Sequence, residues 1–192
     1  MPGSIKIDDG SGNYTILTNA GSLGSDKTLT IPNETATLAT TNGVTVADQY
    51  YLTADQASNG DITSWSQVSF TGTGTVGSSM SHSSGVFTFP STGIYMVTLK
   101  AYVETSDAST RTNILVTTNN STYTIIDSQG WQTSNSVLTY QVCTSSIFVD
   151  VTDTTNVKVK FTLANSDVTN DKIHGNTSNI ETSATFMKIG DT

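Results

Sequence analysis

Apolar and polar positions alternate with a period of two over most of this chain. The clearest run covers residues 94–103, where Tyr95, Val97, Leu99, Ala101 and Val103 fall on one face and Thr98 and Lys100 on the other. Val157, Val159, Phe161 and Leu163 repeat the pattern against Lys158, Lys160 and Thr162. Shorter strand-like runs lie at residues 86–89, 114–116, 123–126, 137–142, 147–151 and 184–189, and Asp153-Thr154-Thr155-Asn156 marks a turn between two of them. No span carries the 3.6-residue period with caps that a helix needs. Many short strands at near-regular spacing predict an all-β fold, a sandwich or jelly roll.

The first 44 residues are thinner. Residues 4–7, 14–17, 28–31 and 36–39 are four short strand candidates, separated by turn signals at Asp8-Asp9-Gly10, Asn19-Ala20-Gly21, Pro32-Asn33 and Asn42-Gly43. Each is too short and too sparsely apolar to build a core, so the segment needs a partner surface. The predicted organisation is an N-terminal β arm over 1–44, a connector over 45–62 with one apolar anchor at Tyr50-Tyr51-Leu52, and a jelly-roll knob over 63–192.

Composition narrows the partners. Charged residues make up only 12% of the chain, so hydroxyls and amides must solvate its surface; Ser and Thr fill roughly a third of it, far above ordinary usage. Eight Lys and Arg stand against sixteen Asp and Glu, a net charge of −8. A nucleic-acid binder needs clustered cations to displace phosphate counterions, and anionic membranes repel such a surface. Neither nucleic acid nor membrane is an expected partner, and no run approaches the ~20 apolar residues of a membrane span. Met1-Pro2-Gly3-Ser4 has neither the basic start nor the apolar run of a signal peptide. The expectation is synthesis in a cytoplasm and release by lysis, as for a virus particle.

Specific strings add to this. Gly85-Val86-Phe87-Thr88-Phe89-Pro90-Ser91-Thr92-Gly93-Ile94-Tyr95 resembles the second and third strands of the complement globular-head and tumour-necrosis-factor-like jelly rolls. There Pro90 and Gly93 would make the corner, with Phe87, Phe89 and Tyr95 entering the core. Trp65 resembles the first-strand tryptophan of that family, and residues 184–192, with Phe186, its final core strand. Residues 47–53 and the ending Lys188-Ile189-Gly190-Asp191-Thr192 are similar to marine-phage virion proteins that carry this jelly roll. Residues 28–41 resemble a phrase frequent in phage fibre proteins. The resemblance implies a homotrimer, since these jelly rolls associate three-fold.

Candidate chemistry is sparse. His82 in Ser81-His82-Ser83-Ser84 has no nucleophile-elbow string around it, and adjacency to Ser is expected in so Ser-rich a chain. His174 is a loop residue with no ligand cluster. Asp150 with Asp153, and Asp167 with Asp171, read as solvated turn residues, since their spacing matches no calcium loop. Cys143, the only cysteine, reads as a small buried hydrophobe. The glycosylation patterns at Asn33, Asn120 and Asn176 read as accidents of composition. Trp131 beside Tyr123, Gln129 and Gln132 could form a sugar-stacking platform, although a core or interface aromatic is the plainer reading.

The expectation is a non-enzymatic structural protein without cofactor or metal. As a trimeric capsid decoration or head-fibre component it would anchor on major capsid or tail proteins through its arm. The alternative is a short tail fibre or tail-tip knob recognising a host-surface glycan or protein.

Overall fold

The computed structural model describes residues 4–8, 14–18, 43–106, 109–132, 138–165, 167 and 169–192, the first two segments as backbone alone. The chain divides into two units, Met1–Thr40 and Thr41–Thr192. In the first, β1 (Ser4–Asp8) and β2 (Tyr14–Thr18) form an antiparallel hairpin, Ser4 pairing with Thr18 and Asp8 with Tyr14. These match the first two predicted short strands; residues 28–31 and 36–39 lie outside the described residues.

The second unit is a two-sheet antiparallel sandwich. Its strands in chain order are β3 (Ala47–Leu52), β4 (Gly60–Asp61), β5 (Trp65–Gln67), β6 (Ser81–Ser83), β7 (Val86–Thr88) and β8 (Gly93–Thr105). They continue as β9 (Ser109–Thr117), β10 (Thr124–Gln132), β11 (Thr139–Val151), β12 (Lys158–Asn165), β13 (Lys172–Ile173) and β14 (Ser183–Gly190). One sheet runs β10-β9-β12-β7-β6 with β4 beside β12; the other runs β11-β8-β14-β3-β5 with β13 beside β8. The chain crosses between sheets from β7 to β8, β8 to β9, β10 to β11 and β11 to β12, which makes the sandwich a jelly roll. No helix occurs among the described residues.

The predicted alternation sets the core. Tyr95, Val97, Leu99, Ala101 and Val103 of β8 are buried between the sheets, as are Val159, Phe161 and Leu163 of β12. Phe87, Phe89, Tyr95 and Phe186 are fully enclosed, and Phe87 lies 4.9 Å from Phe186 across the sandwich, centroid to centroid. Trp65 packs edge-on against Phe87 and Phe161, and its Nε1–H donates to the Ile62 carbonyl at 2.8 Å. Gly93 begins β8 with φ of 138°, and a Cβ there would collide with the Lys188 side chain and the Gly190 carbonyl. The corner after Pro90 therefore needs glycine.

Two expectations change. Residues 45–62 are not a connector. Within that span β3 pairs with both β14 and β5, and Tyr50, Leu52 and Ile62 belong to the core. Asp48 disguises the strand: it occupies an inward position, 3% exposed, where alternation calls for an apolar residue. Its carboxylate accepts from the Gln49 N–H (2.9 Å), Gln67 Nε2 (3.0 Å) and the Met80 N–H (2.8 Å), which holds the loop before β6 against the sheet. Residues 137–142 and 147–151, read as separate strands, are parts of the single strand β11, apart from Leu138, which precedes it, and Val137, which lies outside the described residues. Cys143 and Ser145 point inward and Thr144 and Ser146 outward, so the alternation persists through residues too small and polar to show it.

Leu99→Ala should cost about 2–5 kcal/mol of stability, while Lys100→Ala, on the outer face, should cost far less; chemical denaturation of both variants checks the register. A fragment 41–192 should melt cooperatively. One beginning at Thr63 lacks β3 and should not; a cooperative transition in the shorter fragment would remove β3 from the core.

Candidate functional site

The outer face of the sheet β11-β8-β14-β3 carries apolar groups that the knob does not cover. Phe148, Met96, Met187 and Ala47 sit side by side across four strands, and Phe148 is 69% exposed. Next comes a belt of hydroxyls and amides: Thr98 and Ser146 share a 2.7 Å hydrogen bond, and Gln49 Nε2 donates to Thr185 Oγ1 at 3.0 Å. Beyond it Val142 and Tyr140 are exposed, and Tyr140 stacks on Tyr102 at 5.9 Å.

This face ends at an open edge. β10 and β11 are terminal strands of their sheets and lie against each other. Ile126 of β10 and Phe148 of β11, both exposed, border the same depression. Val116, Ile126, Ile147, Phe148 and Val149 line this apolar depression of about 220 Å³. Among the described residues β11 stands at the end of its sheet beside β8, and it carries no lysine or proline to block a further strand. Long apolar edges of this kind recruit partners unless covered.

A polar cluster borders the same face. Lys172 Nζ lies 3.0 Å from Asp55 and 3.5 Å from Glu104. His174 Nε2 is 2.8 Å from Glu104 Oε2 but out of line for a hydrogen bond, while its Nδ1 is 3.6 Å from Asp55. The ring packs against Tyr102 and Tyr140. Burial pushes the Asp55 carboxyl up, but the Gly175 N–H, the Lys172 ammonium and the nearby His174 outweigh it and hold it below its ordinary value. The hydrogen bond to Asp55 raises Lys172 above the usual ammonium range.

Trp131 and Tyr123 do not form a joint platform. Eight residues of extended chain separate them, about 26 Å. A bulge between Ile125 and Asp127 also inserts one residue into β10, and a one-residue insertion reverses every side chain after it. Tyr123 thus lies before the bulge under the Lys160 ammonium, 4.5 Å from its ring centre, while Trp131 packs against the core.

The remaining candidates have structural partners. His82 packs on Tyr50 and Phe87, and among the described residues neither histidine bonds a serine, threonine or cysteine. Cys143 is buried against the Thr112 hydroxyl (3.8 Å), and burial pushes its thiol up. Asp153 and Asp167 cap turns, but two of the four acids are not turn residues. Asp150 is in β11, and Asp171 is fully buried, accepting from the Ser106 N–H (2.9 Å) and Thr110 Oγ1 (2.7 Å). Among the described residues no group of three or more His, Cys, Asp or Glu could hold a metal ion. Asn120 occupies a turn with φ of 53°, and Asn176 donates to Glu181; Asn33 lies outside the described residues. Alternation could not single out the apolar face, because β11 has apolar residues on both sides.

No family model matches the chain, and no curated protein matches it. Solved structures do. The knob is similar to Eiger TNF from S. frugiperda, with a TM-score of 0.56 and 12% identity over 79% of this chain and 96% of that one. It is likewise similar to murine APRIL, with a TM-score of 0.57 and 10% identity over 74% and 98%. The fold is a TNF-like jelly roll.

The Asp55 shift has a sign. A lowered folded-state pKa contributes stability above the unfolded value, and that stability is lost as pH falls through the folded one. Wild type should therefore lose more Tm than Asp55→Asn on acidification below about pH 4; equal losses in a thermal-melt series would show that the cluster is not coupled to folding.

Proposed function

We propose that this protein is a non-enzymatic structural component of a bacteriophage particle, a homotrimer displayed on the surface as a capsid decoration or head fibre. The observation that carries the reading is the apolar face meeting an open apolar edge. A second copy can lay its β10/β11 edge against the outer face of this one, covering Phe148, Met96 and Met187. Edge and face are different surfaces, so the contact is heterologous and must close into a ring to avoid open-ended growth. A three-fold ring is the closure that the fold resemblance implies.

The arm supports particle attachment. A two-stranded hairpin is marginal alone in water, so β1 and β2 gain burial from a neighbour, here major capsid or tail proteins. The phrases at 28–41, 47–53 and 188–192 resemble phage virion and fibre proteins, and a hydroxyl-rich, charge-poor exterior suits a protein packed at high local density. The second reading is a short tail fibre or tail-tip knob that engages a host-surface glycan or protein, and the polar outer face of the other sheet favours it.

Light scattering should give a trimer at micromolar concentration. Phe148→Asp should give monomers with little change in monomer stability, because an exposed side chain contributes little to folding. A wild-type monomer would sink the trimer, and a trimeric Phe148→Asp would move the interface elsewhere. Averaged images of particles labelled on this chain should show density on heads; density on tails would select the second reading. Residues 1–40 fused to an unrelated trimer should bind particles lacking the protein, whereas fragment 41–192 should not.

A further inference from the structure

The β10-β9-β12 sheet turns an unusual row toward solvent. Arg111 of β9 is flanked by Gly130 of β10 and Ala164 of β12, so the chain's one arginine stands between two of the smallest residues. All three are exposed. A Cβ on Gly130 would lie 2.8 Å from Arg111 Cγ, so the arginine stem lies directly over the glycine. Gly130 has no positive φ to explain it; its bare backbone makes room, as glycine inside a strand does where something approaches closely.

Among the described residues the guanidinium is unengaged. Lys158, Lys160, Lys172 and Lys188 are each bonded to a protein oxygen. Arg111 makes no ion pair or hydrogen bond among the described residues, in a chain of net charge −8. It borders a depression of about 320 Å³ lined also by Ser109, Gly130, Trp131 and Gln132, within the size range of small-ligand sites. Ser128 lies one outward position further along β10.

We propose that this shelf binds a carboxylate-bearing sugar, with Arg111 clamping the carboxylate and Gln132 and Ser128 meeting ring hydroxyls. A planar guanidinium holds a carboxylate through two parallel bonds. Gly130 seats the arginine stem, and the small exposed Ala164 on its other side lets a sugar ring lie close to the backbone. A protein partner would be expected to find an apolar anchor at the centre of its footprint; here the lining is Ser109, Gly130 and Gln132 beside a Trp131 that packs against the core. The inference goes beyond the structural role proposed above and does not require the trimer.

The test is ligand-observed NMR on the full-length protein with trigalacturonate, a hyaluronan tetrasaccharide and 3′-sialyllactose, beside methyl-esterified trigalacturonate and triglutamate. At least one acidic sugar should bind. Removing its charge, shown for trigalacturonate by the ester, should weaken binding ten-fold or more, and triglutamate should bind more weakly than the sugar. Arg111→Gln should abolish binding. Gly130→Val, which keeps the charge but displaces the arginine stem, should weaken it at least five-fold. Both variants should keep the wild-type Tm and scattering mass, which separates this result from any failure of the trimer. Silence from all three sugars, binding that survives Arg111→Gln, or triglutamate binding as tightly as the sugar overturns the proposal.

Discussion

The knob depends on one ring. Phe87 lies in the short strand β7, yet its side chain meets Tyr50, Trp65, Phe161 and Phe186, with centroids 4.9 to 5.9 Å away. Those partners come from β3, β5, β12 and β14, so one side chain joins both sheets. Tilted and edge-on aromatic pairs each contribute beyond their buried area, and here they share a centre. Tyr50 is held in turn by its hydroxyl, which donates to the Met80 carbonyl at 2.6 Å. The short strands β5, β6 and β7 hold their place less by ladder bonds than by this cluster.

A sandwich closed at that side leaves its other side open. β10 and β11 end their sheets with little to cover them, and their exposed residues include Ile125, Ile126, Val142 and Phe148. The fold thus separates a self-sufficient core from an apolar edge and face that remain in water. That separation underlies the proposed assembly, in which the core is complete within the knob and association would cover what folding leaves exposed.

A single inserted residue shapes the opposite sheet. The bulge after Ile125 reverses the second half of β10, turning Trp131 toward the core and Gly130 outward opposite Arg111. Without it the indole would face solvent and the glycine would point inward. The aromatic platform suggested by composition is lost by the same event that creates the arginine shelf.

The sequence by itself determined the all-β class, the inward face of β8 and β12, and the aromatic and glycine positions around Pro90, because burial on one face of a strand forces a period of two. It could not reveal β3, whose inward Asp48 breaks the period and is satisfied by the neighbouring Gln49 N–H, by Gln67 of β5 and by Met80 of the loop before β6. It could not join the two halves of β11, whose middle is small and polar, or choose the core face of a strand apolar on both sides. Nor could it set Trp131 and Tyr123 on opposite faces, since a bulge leaves no mark in composition. Periodicity is local, and the sequence carries it; partners, sheet edges and register shifts exist only once distant strands have met.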